Sequence, residues 1–179
     1  MEMEKQWLTG LICAGIGALL LVLAAFSSTW IKGKHYDIES RVGLQSIDTC
    51  VSGSECDTVS LSDWQASSSA PKGLGTFIAL GMVTFYLCLF TAFLLLVLLG
   101  YSVSGKTPHW PVHPGSLVLL LSIALLIAGV LTLALHPFKV AGWGTGPGFL
   151  ILGAGDMCAL FGSLILGRSA PLDEDEWFE

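Results

Sequence analysis

Residues 74–101, LGTFIALGMVTFYLCLFTAFLLLVLLGY, decide the fold of this chain. They contain no Asp, Glu, Lys or Arg, over a length beyond the roughly 20 residues a helix needs to cross about 30 Å of hydrocarbon. A soluble helix would set an apolar stripe against a polar face; here the apolar residues run unbroken. A segment surrounded by lipid must satisfy its own backbone hydrogen bonds, which makes it a helix. Three further blocks read the same way, at 7–28, 116–135 and 147–166, so the chain is expected to span a bilayer four times. Within the first block Ala25-Phe26-Ser27 loosely resembles a signal-peptide cleavage site. Met1 to Lys5 lacks the usual basic region, however, and the apolar run is long, so an uncleaved helix is expected.

The whole composition agrees. The chain of 179 residues is 53% hydrophobic and 12% charged, against about 25% charged in a soluble domain. Its formal charge of −6 comes largely from the loop at 30–73 and the acidic tail at 168–179, leaving no basic face for nucleic acid. The expected partners are the lipid bilayer and other membrane proteins.

Residues 30–73 have mixed charges, Ser and Gly, and form the one long segment suited to fold in water. Val42 and Leu44, and later Val59 and Leu61, alternate with polar neighbours, the period of short strands. Between them a Gly-containing turn is flanked by Cys50 and Cys56, a spacing that fits a β-hairpin closed by a disulfide. The ring is small, so stabilisation near the low end of roughly 2–4 kcal/mol is expected, and fixing the register of a small sheet is the larger role. The alternatives are two free thiols in a loosely ordered loop, or a metal pair that would need two more ligands. Cys13, Cys88 and Cys158 fall in apolar helices, where cysteine packs as a small hydrophobe. The sequence contains no Asn, which excludes N-linked glycosylation.

Four spans put both termini on one side. Lys5, Lys106 and Arg168 lie there, against Lys32, Lys34, Arg41, Lys72 and Lys139 on the other, opposite to a simple positive-inside count. A folded loop can translocate despite its charges, and a cysteine pair belongs in an oxidising compartment. A plasma-membrane protein with cytoplasmic termini is therefore expected.

Trp30 after the first helix, then Gly43-Leu44, then Cys50 and Cys56 before the second helix form an order that resembles the claudin and peripheral-myelin-protein group of tetraspan membrane proteins. Gln45 stands where that family has Trp after Gly-Leu. The Gly-Leu to cysteine interval is longer, and the interval between cysteines shorter, than in true claudins, so the resemblance is to the broader superfamily layout. It implies a left-handed four-helix bundle topped by a small extracellular sheet, acting in adhesion, in barrier formation or as an auxiliary subunit. The end Trp177-Phe178-Glu179 lacks the hydrophobic terminal residue of a PDZ ligand. Acidic residues followed by Trp177 and Phe178 form either a docking tail or a solvated end resting on the bilayer.

Helices in lipid associate through small residues and hydrogen bonds. Gly155, Ala159, Ser163 and Gly167 stripe the fourth helix, Gly10, Ala14 and Ala18 the first, and Ala124, Ala128, Thr132 and His136 the third. Asp156 falls near mid-span, where a carboxylate is costly and is by default a functional candidate. Thr84 lies at a similar expected depth, with Tyr86 nearby, as a possible hydrogen-bond partner. A relay needs acidic or His groups in series, and the spans offer no other, which favours a helix clamp over proton transport. His109, Trp110 and His113 sit among prolines that forbid the helix needed for paired metal ligation, and read as an interfacial anchor. His136 is placed to cap the third helix. Residues 142–148, GWGTGPG, read as a surface turn, since no strand precedes the glycines and no phosphate-binding Lys or Ser follows.

The expected fold is thus an all-α membrane protein, a four-transmembrane-helix bundle with a disulfide-pinned extracellular β-hairpin or small sheet in its first loop. No catalytic set, metal quartet or cofactor motif is evident, so the expected function is non-catalytic, through contacts with other membrane proteins or with copies of the chain. The second reading is an accessory subunit of an energy-transducing or transport complex. The third is a small proton- or ion-coupled carrier using Asp156.

Overall fold

A computed structural model describes residues 2–51, 56–104, 114–138 and 142–168. Among the described residues five helices and five strands follow in the order α1 (Glu2–Ala25), β1 (Ile31–His35), β2 (Ile38–Val42), β3 (Ser46–Val51), β4 (Cys56–Ser60), α2 (Leu61–Ala66), α3 (Leu74–Ser104), α4 (Pro114–Ala134), β5 (Trp143–Thr145) and α5 (Pro147–Arg168). Of these, α1, α3, α4 and α5 are long and apolar enough to cross a membrane.

Their boundaries depart from the expected ones for local reasons. Helix α3 continues past Tyr101 through Ser104, whose hydroxyl donates to the Tyr101 carbonyl at 3.0 Å. Pro114 and Pro147 open α4 and α5, in the first turn, where a missing N–H costs no helical bond. Helix α1 ends at Ala25, short of residue 28, because its last carbonyls are taken. The Ser27 N–H donates to the Ala24 carbonyl at 3.2 Å, and the Trp30 indole N–H donates to the same oxygen at 2.8 Å. One of the four carbonyls left orphaned at a helix end thereby gains two donors.

The four long helices form a ring in which α1 packs on α5 and α3, and α4 packs on α3 and α5, while α3 and α5 barely touch. The α1–α5 seam is the closest because glycines remove the side chains that would hold the helices apart. A Cβ on Gly17 would stand 2.8 Å from the Ala159 nitrogen, one on Gly155 2.9 Å from the Leu20 Cβ, and one on Gly162 2.6 Å from the Ala14 nitrogen. The close points pair Ala14 with Gly162, Ala159 with Gly17, Gly155 with Leu20, and Gly10 with Ile165. Ser163 is buried and donates to the Leu160 carbonyl; Gly167 lies in the final turn of α5. On α4 the expected stripe is corrected: Ala124 faces outward, and the inward line is Val118, Ser122, Leu125, Ala128 and Thr132. A helix turns 100° per residue, so strict four-residue steps drift off the buried face.

The strands form one antiparallel sheet in the order β4-β3-β2-β1-β5. Cys50 and Cys56 are opposite partners in the β3–β4 pair and form a disulfide, with Cα atoms 4.1 Å apart. Two expectations for this region are corrected. Leu61 does not continue a strand: the Ser60 hydroxyl accepts the Asp63 N–H at 3.1 Å, capping α2 and turning the chain. Residues 142–148 are also more than a turn, since Trp143–Thr145 pairs with β1 as a fifth strand. Gly146 permits this, because its N–H donates to the Trp30 carbonyl at 2.7 Å while a side chain there would collide with the Thr29 carbonyl.

Candidate functional site

Alternation along each strand gives the sheet two chemically distinct faces. The register aligns Ile31, Val42, Ile47 and Val59 across β1 to β4, and Ile38 with Val51. All six lie on one face. Toward the bundle this face is closed, with Ile31, Val42 and Ile47 buried, but it is open at its far end, where Ile38 is 43% and Val51 45% exposed, and along the β4 edge, where Val59 is 38% exposed. Tyr36, at the tip of the β1–β2 hairpin with φ of 52°, is 85% exposed. On the opposite face Lys32, Arg41, Asp48 and Thr58 align. There Thr58 donates to Asp48 at 2.9 Å and Arg41 pairs with Glu39 at 3.0 Å. Cys50, two residues beyond Asp48, places the disulfide on this polar side.

The motif residues of the first loop join sheet to helices. Trp30 is fully buried; its indole caps α1 and its backbone N–H donates to the Val42 carbonyl at 2.8 Å. A Cβ on Gly43 would stand 2.9 Å from the Ser27 carbonyl oxygen, so only glycine lets β2 leave the sheet this close to the end of α1. Leu44 is buried, and its carbonyl lies 3.1 Å from where a Cβ on Gly81 of α3 would be.

Sequence reasoning missed the second tie. Phe138 stacks between Trp64 of α2, at 5.7 Å, and Trp143 of β5, at 4.9 Å, with Phe77 of α3 edge-on at 5.8 Å. The Trp143 ring fills the space that a side chain at Gly33 would occupy. His136 stacks on Phe138 at 6.2 Å, and its Nδ1 accepts the Phe138 N–H at 3.2 Å. Aromatic residues scattered over several elements carry no common spacing, so no pattern in the sequence pointed to this cluster.

A second constellation lies inside the bundle. Asp156 is buried, and among the described residues neither carboxylate oxygen has a hydrogen-bond partner. Thr84, expected as its partner, belongs elsewhere: its hydroxyl meets Thr132 of α4 at 3.1 Å and donates to the Leu80 carbonyl at 2.9 Å. Tyr86 faces outward. The hydroxyl facing Asp156 is that of Ser122 on α4, although the two stop short of hydrogen-bond geometry. Cys88 of α3 lies within electrostatic reach. Ser122 and Thr91 are both buried, and among the described residues neither hydroxyl has a hydrogen-bond partner. Single hydroxyls in apolar runs gave no sign that Ser122 would face Asp156.

Among the described residues no group of three or more His, Cys, Asp or Glu could hold a metal ion. His109, Trp110 and His113, and the tail residues Trp177 and Phe178, lie outside the described residues. No protein-family model matches the chain, and no curated protein is significantly similar to it.

Proposed function

We propose that this chain is a non-catalytic, multi-pass membrane protein of claudin-like layout, which acts by binding other membrane proteins or copies of itself. Its helices lie in the bilayer of the plasma membrane, the sheet stands on the extracellular side, and both termini are cytoplasmic. Insertion is supported by the reversed polarity of the bundle. Leu8, Ile12, Ile16, Phe90, Phe93, Ile123, Leu150 and Phe161 point outward, while Thr84, Thr91, Ser122, Thr132, Asp156 and Ser163 are buried. The layout is supported by Trp30, Gly43 and Leu44, which seat the sheet on α1, α3 and α5, and by the cysteine pair, which links β3 to β4.

The observation that carries the binding role is the overhanging apolar end of the sheet. Ile38 and its cross-strand partner Val51, with Tyr36 at the adjoining hairpin tip, lie at the end of the sheet opposite the buried row of Ile31, Val42 and Ile47, where covering them would remove apolar area from water. The test is purification in mild detergent followed by mass measurement and cross-linking. Discrete homo-oligomers or a stoichiometric membrane partner, disrupted by Ile38→Ser with Val51→Ser, are expected. A chain that stays monomeric and partner-free, or oligomers indifferent to both substitutions, would refute the role. Recovery with one large transport or energy-transducing assembly would identify the partner as that complex.

A further inference from the structure

We infer that the bundle interior holds a site for one small monovalent cation of the size and hardness of sodium, built by Asp156 of α5, Ser122 of α4 and Thr91 of α3. The site does not depend on what the outer sheet binds.

Across the four candidate spans, 6–25, 74–104, 115–134 and 147–166, Asp156 is the only Asp, Glu, Lys, Arg or His. No fixed cation on α1, α3, α4 or α5 within those spans faces it, and Cys88 is the titratable side chain beside it. A buried carboxylate without an ion-pair partner either holds a proton or takes a mobile cation.

The hydroxyls decide between the two. Thr84, Thr132 and Ser163 all turn back to donate to carbonyls of their own helices, at 2.9, 2.8 and 3.0 Å, the usual way a hydroxyl is satisfied inside an apolar helix. Ser122 and Thr91 decline that bond although equally buried. Their depths agree with a shared site. Thr91 lies seven residues below Thr84, which meets Thr132, so it sits level with about residue 125 of α4, within roughly one helical turn of Ser122.

Carboxylate and hydroxyl oxygens form a hard ligand set, suited to an alkali cation rather than a soft metal. A monovalent ion cancels the single charge of Asp156, whereas a divalent ion would leave an uncompensated charge in an apolar interior.

The test is equilibrium binding of radioactive sodium to the purified full-length chain in nanodiscs at pH 8, together with thermal unfolding in sodium chloride and in choline chloride of equal ionic strength. Stoichiometric sodium binding and a higher melting temperature in sodium are expected, both lost in Asp156→Asn. Ser122→Ala and Thr91→Ala, each checked for native helicity by circular dichroism, are expected to weaken binding about tenfold. No bound sodium and identical melting in the two salts would show a protonated carboxyl and overturn the site. Binding unchanged in Asp156→Asn, or in both hydroxyl variants, would overturn it equally.

Discussion

The Trp30 indole ties α1 to the sheet through one atom, Nε1, bonded to the Ala24 carbonyl in a fully buried setting. Trp30→Phe keeps the ring and removes the donor. It should lower stability by about 1–3 kcal/mol, measured by thermal unfolding in detergent, and Trp30→Ala should cost more because a cavity is added. The cysteines allow a direct count. Five are present and two are bonded, leaving three free. Maleimide in denaturing detergent should therefore add three labels without reductant and five with it, read by mass spectrometry. Five labels in both conditions would remove the disulfide. Both features were legible in the sequence as residues of the first loop, since a Trp after an apolar block and two cysteines around a turn are local patterns. The surroundings of Asp156 were not, because its neighbour Ser122 comes from another helix and looks like any hydroxyl in an apolar run.

At the scale of elements, the α1–α5 seam rests on backbone contact. Gly162→Leu would drive a side chain into the Ala14 backbone and Gly17→Leu would do the same at Ala159. Each should part the helices and convert a monodisperse detergent particle into a protease-sensitive one, with overpacking costs of about 1–3 kcal/mol or more. The four apolar helices were readable to within a few residues, because hydrocarbon length and the absence of charge are properties of one segment. Strand β5 was not readable, since three residues flanked by glycines show no period. It exists because β1 offers an edge and Phe138 holds Trp143 in place. Phe138→Ala should release β5 while leaving β1 to β4 paired, and hydrogen exchange at residues 143–145 should rise selectively. Exchange that stays slow there would show that the ladder alone is sufficient.

For the whole molecule, the proposed orientation places the sheet outside the cell. Single cysteines at Ser69 and at Ser104, introduced into a cysteine-free background, should therefore differ: a membrane-impermeant maleimide should label the first in intact cells and the second only after lysis. The reverse pattern would invert the topology and send the disulfide to the cytoplasm. The overall plan, apolar helices with one folded polar loop, followed from composition alone, whereas the participation of the loop between α4 and α5 depended on pairings between distant residues. Because β5 hydrogen-bonds to β1, the segment that joins α4 to α5 is laced to the segment that follows α1. Lateral tension in the surrounding bilayer would then act on the helices as through a yoke: they would tilt together, and a pull strong enough to separate them would first have to unzip that short ladder.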